Sequence, residues 1–108
     1  MQLNVFERLL IRNIVPQIQG WNYAHMKEAR ELLEGLFTEQ EENDLQFEQE
    51  GTHVKWKVQR EDGIPIEQER DIPVSDGLKA KIGKFLKQLD KEEKLSFEHF
   101  SLVEKFVE

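Results

Sequence analysis

A chain of 108 residues, 38% hydrophobic and 34% charged, fits one globular domain (1–108) with a single core beneath a charged surface. It has no cysteine, which excludes disulfides, thiolate catalysis and cysteine-based metal centres and points to a reducing, cytoplasmic setting. The net charge of −7 is uneven, with twelve acidic and four basic side chains over 39–76 but six lysines against three acids over 77–94, and an acidic total works against general nucleic-acid binding.

The opening MQLNVFERLLIRNIV carries Glu7, Arg8 and Arg12 inside its apolar run and no small-residue cleavage site, so it reads as a helix and not a signal peptide. The spacing predicts that helix over Leu3–Val15, with Asn4 as N-cap and Glu7 completing a capping box. Phe6, Leu9, Leu10 and Ile14 form the inward stripe, and Glu7, Arg8, Arg12 and Asn13 fall largely opposite. Pro16 stops the helix and Gly20 marks a turn. A second helix runs from about Asn22 to Leu36, burying Met26, Ala29, Leu32, Leu33, Leu36 and Phe37. Trp21 and Tyr23, flanking its cap, are expected to plug one end of the core. Thr38-Glu39-Gln40-Glu41 is a further capping box and opens a short third helix to about Asp44.

The pattern then changes to period two. Leu45 and Phe47 alternate with polar residues, Gly51 and Thr52 turn the chain, and Val54, Trp56 and Val58 alternate with Lys55, Lys57 and Gln59. This predicts a hairpin with one buried face and Trp56 as its core anchor. Asp62-Gly63 signals a second turn, followed by a third strand through Ile64, Ile66, Gln68, Arg70 and Ile72. Pro65 and Pro73 place that strand at an edge. Ser75 or Asp76 caps a helix over about 76–90, with Leu78, Ile82, Phe85, Leu86 and Leu89 inward and lysines opposite. Ser96 caps the last helix, Leu95 and Phe100 form a hydrophobic staple, and Phe97, Phe100, Val103, Phe106 and Val107 carry its apolar side. The predicted order is α-α-(short α)-β-β-β-α-α. It implies an α+β fold in which about four helices cover one face of a three-stranded antiparallel meander, leaving Glu48, Lys55, Lys57 and Glu67 on a wet second face.

Candidate chemistry is sparse. His25, His53 and His99 lack metal-ligand spacing and read as structural or surface residues, so no metal or other cofactor is expected. Ser75, Ser96 and Ser101 sit in no nucleophile elbow and no glycine-rich phosphate loop occurs, so an enzyme is the poorest reading. The acidic run Glu39, Glu41, Glu42, Asp44, Glu48 and Glu50 lacks the spacing of a calcium loop; it is a solvated face or a docking surface for a basic partner. Lys79, Lys84, Lys87 and Lys91 could touch phosphate, but no arginine or aromatic residue interleaves on that face to read bases. No stretch approaches the ~18 apolar residues of a membrane span.

The segments LNVFERLLIRNIVPQIQGW and DKEEKLSFEHFSLVEKFVE, with a capped helix, a helical pair, a lysine-flanked helix and a Phe-rich tail in this order, resemble a type of short phage- or prophage-encoded protein. The resemblance covers nearly the whole chain, but its motifs are packing signals, so no site residue is carried over. It implies a bacterial cytoplasm and a small accessory role. The function expected is a non-enzymatic accessory protein that binds another protein; the alternative is a nucleic-acid-associated regulator using the lysine-rich helix 76–94.

Overall fold

The computed structural model describes residues 1–51 and 53–107. The chain begins with strand β1 (Gln2–Asn4) and enters α1 (Val5–Ile14) directly. The Asn4 side chain accepts from the Glu7 amide at 2.7 Å, and the Glu7 carboxylate accepts from the Asn4 amide at 2.9 Å. The expected capping box therefore forms, and the same asparagine closes the strand. Pro16 tightens the chain into a 3-10 turn over Val15–Gln17. The second helix, α2 (Tyr23–Gly35), is capped by Asn22, and α3 (Glu39–Leu45) carries the Thr38–Glu41 capping box and ends where Gln46 takes a left-handed conformation. Strands β2 (Glu48–Glu50) and β3 (His53–Lys55) form a hairpin; Thr52, expected to turn the chain with Gly51, lies outside the described residues. Strand β4 (Glu69–Asp71), α4 (Asp76–Lys91) capped by Ser75, a 3-10 turn over Phe97–His99 and α5 (Phe100–Phe106) complete the order.

The α+β class holds, but the strands form two separate two-stranded antiparallel sheets and not one meander. Strand β4 pairs with the N-terminal β1, aligning Leu3 with Arg70, and β2 pairs with β3, aligning Gln49 with Val54. Two causes account for the correction. Around Asp62-Gly63 the chain does turn back, with Ile66 donating to the Val58 carbonyl at 2.9 Å and Arg60 to Ile64 at 2.8 Å. Pro65 sits between them without an N–H, however, and the ladder shrinks to one bridge with Gln59. Downstream, β4 is captured by β1, whose Leu3 is completely buried.

The main core gathers Leu3, Leu10, Ile11 and Ile14 with Leu32, Leu36, Ile72, Leu78, Ile82, Leu86, Leu102 and Phe106. A smaller cluster of Val5, Leu45 and Ile66 lies beside it, with Phe37 touching both. Because α1 has apolar neighbours in both clusters, two of its charged residues are enclosed: Glu7 and Arg8 are completely buried, against expectation, while Phe6 is partly exposed. Met26 and Val58, expected inside, are exposed, and so is every residue of β2. The hairpin's buried face is thus confined to its base, where half-buried Phe47 and Trp56 meet edge-on at 6.4 Å. Of the proposed plug, Trp21 packs on the core and donates to the Ile18 carbonyl, whereas Tyr23 points into solvent.

Candidate interaction surfaces

The acidic run is divided by the fold between α3 and the hairpin. Glu41 faces inward: Arg8 Nη1 lies 2.6 Å from its Oε2 and Arg70 Nε 3.0 Å from its Oε1. Both arginines also donate to the Leu36 carbonyl at the end of α2, each at 2.9 Å, and Arg8 Nη2 donates to the Gln68 carbonyl at 3.0 Å. One carboxylate and two guanidiniums therefore clamp α1, the end of α2, α3 and the approach to β4. The Arg8 guanidinium also stacks 4.6 Å from the Phe37 ring centre. Burial disfavours ionisation of Glu41, but the Thr38 amide and Arg8 outweigh it and hold the carboxyl below the usual carboxylate range. Glu41 is thereby engaged in the clamp and unavailable to a partner.

The other acids point elsewhere. Glu39 and Glu42 are exposed on α3, and Asp44 is half-buried and accepts from Gln40 at 3.0 Å. Glu48 and Glu50 are exposed on the hairpin, where Glu50 pairs with Lys55 at 3.0 Å. Among the described residues, no three histidine, aspartate or glutamate side chains converge as metal ligands. His25 lies against Gly77 at the start of α4, and His53 is exposed on β3. His99 closes the turn before α5, its Nδ1 accepting from the Ser96 amide at 3.0 Å.

On α4, Lys79, Lys84, Lys87 and Lys91 are all exposed, and none forms an ion pair among the described residues. Lys81 differs, donating to the Gly20 carbonyl at 2.8 Å with its ammonium over the Trp21 ring. No described helix is long and apolar enough to cross a membrane.

The least expected surface is the C-terminal one. Phe97 is 98% exposed and Phe100 65%, and with Leu95, His99 and Val103 they line an open groove of about 310 Å³. The inward row of α5 centres on Leu102 and Phe106; of the expected row, Phe106 is buried and Val103 and Val107 are partly buried, while Phe97 and Phe100 turn outward. Leu102, four residues before Phe106, is the signal that could have revealed this in the sequence. Gly83 of α4 lets this row approach closely, because a Cβ there would stand only 2.7 Å from the Phe106 carbonyl oxygen. Comparison with protein families, with curated proteins and with solved structures finds no match.

Proposed function

We propose that this chain is a non-enzymatic accessory protein that binds another protein, encoded by phage or by its host, in the cytoplasm. The observation that carries the reading is the adjacent exposure of Phe97 and Phe100 beside an apolar groove. Two aromatic rings left in water at the turn into a short helix forgo the burial that aromatic side chains ordinarily gain, and covering them would supply affinity. The exposed acids Glu39, Glu42, Glu48 and Glu50 would add attraction for a basic partner and speed encounter. The test is capture from a bacterial lysate on immobilised protein, compared with Phe97→Ser/Phe100→Ser. The double variant should keep its circular dichroism and thermal midpoint but lose the captured protein. Retention of the same partner by the variant would overturn the assignment of this surface.

The second reading, a nucleic-acid-associated regulator, draws on Lys79, Lys84, Lys87 and Lys91 of α4, exposed and without an ion pair among the described residues. Against it stands the net charge of −7; lysine-to-phosphate attraction is short-ranged at physiological salt, where screening sets in beyond about 8 Å. Mixed-sequence duplex titrated at about 0.15 M salt should bind weakly and without sequence preference. Sub-micromolar binding abolished by Lys84→Glu/Lys87→Glu would promote this reading over the first.

A further inference from the structure

We infer that the groove between α2 and the segment Ile72–Ser75 is a docking site for a protein segment carrying lysine or arginine next to aliphatic side chains. The inference rests on the protein-binding reading and adds a second surface whose chemistry selects the partner. The groove measures about 590 Å³, within the range of ligand sites and enough for a few side chains. Its floor is apolar and belongs to the core: Leu32, Ile72 and Leu78 are buried, and Val74 is half-buried beside them. Its rim on α2 is acidic, formed by Glu28 and Glu31.

These two carboxylates carry the argument. Among the described residues neither forms an ion pair, so both charges at the rim are open to a cationic ligand. Glu28 is held in place, its Oε2 accepting from Ser75 Oγ at 3.0 Å across the groove. Ser75 also caps α4, so the rim is tied to two helices at once. The cation at the groove's end, the Met1 ammonium, is already spent on Asp71 at 2.6 Å and on the Ile72 carbonyl. An aliphatic side chain on the floor with a cationic neighbour at the rim satisfies both parts of the site. An acidic segment would meet like charge there and be rejected.

Gly35 allows a clean test. It lines the groove in ordinary helical backbone, and a Cβ at this position meets nothing within 4 Å, so Gly35→Met occupies the groove without straining the fold. The full-length ¹⁵N-labelled protein would be titrated with acetyl-Leu-Arg-Leu-Lys-amide, and with acetyl-Leu-Glu-Leu-Glu-amide as control, at about 0.15 M salt. The basic peptide should shift amides within 28–35 and 72–78, and the acidic one should not. Gly35→Met and Glu28→Gln/Glu31→Gln should each weaken binding by about tenfold or more, whereas Phe97→Ser/Phe100→Ser should leave it unchanged. Absence of shifts, equal response to the acidic peptide, shifts centred on 39–50, or undiminished binding by Gly35→Met would each overturn the site. The protein-binding reading is scored separately, by capture through Phe97 and Phe100.

Discussion

Arg8 departs furthest from its sequence setting. By its place opposite the apolar stripe of α1 it reads as a solvent-side residue, yet its side chain is completely enclosed and its guanidinium reaches the Leu36 and Gln68 carbonyls and Glu41. A planar fork satisfies several acceptors that a single ammonium cannot. Arg8→Ala should therefore lower stability by about 3–5 kcal/mol in urea unfolding, the range for breaking a buried ion pair, and Arg8→Lys should restore only part of it. A loss below ~1 kcal/mol would be the value for a solvated pair and would refute the clamp. The clamp also sets a pH dependence. Both Glu7 and Glu41 have carboxyls lowered from 4.5: burial opposes ionisation in each, and amide and cationic partners outweigh it. A depressed native pKa adds stability above the unfolded value that is lost as pH falls through the native one. Thermal midpoints should hold above about pH 5 and fall steeply below 4.5, and Glu41→Gln, less stable at neutral pH, should show a shallower fall. An unchanged slope in that variant would assign the acid sensitivity to other groups.

At the scale of elements, the sequence signals for helices are close to the structure because capping is local. Asn4, Asn22, Thr38 and Ser75 each accept from an amide three residues on, a geometry the chain can adopt without tertiary help. Which side of each helix turns inward is less local. In α5 it depends on Gly83, where the missing side chain lets the Phe106 carbonyl approach α4. Gly83→Ala gains about 1 kcal/mol of helix propensity but must displace backbone, which costs about 1–3 kcal/mol or more. A net loss of stability is expected, accompanied by amide shifts along α5. A variant as stable as the parent, with α5 undisturbed, would show that the two helices are more loosely packed than these distances indicate.

For the molecule as a whole, protection should follow burial and not secondary structure alone. The chain spans 45 × 30 × 26 Å, and the β2–β3 hairpin contributes only exposed residues apart from half-buried Val54. A two-stranded ribbon without a covered face is marginal in water. Native-state hydrogen exchange should find the hairpin amides opening at low free energy, with β1–β4, α1 and α4 protected close to the global value. Equal protection of the hairpin and of Leu3 would indicate that something covers the ribbon in solution. The pairing of β1 with β4 joins residues about seventy positions apart, so the loss of either should melt both.

What the sequence by itself determined are the features written in short range: helix existence and the starts of α1 to α4, the turns at Gly51 and Asp62-Gly63, the α+β class, the inward row of α4 and the uneven charge. The last helix, expected to start from Ser96, begins instead at Phe100, because the residues after Ser96 first close a 3-10 turn. Tertiary structure alone decided the rest. A three-residue strand such as Gln2–Asn4 is too short for periodicity to mark, and its partner lies at the far end of the β region, so two sheets replaced a meander. Burial of Glu7 and Arg8 depended on Lys105 and Glu41 arriving from other elements, for a charge is buried only where a distant partner meets it. The acidic run was legible as composition, but its division into one clamped carboxylate and several exposed ones was not. Nor was the outward turn of Phe97 and Phe100, because a three-residue turn and a seven-residue helix with more apolar residues than one face can bury leave the choice of face to the surface that receives them.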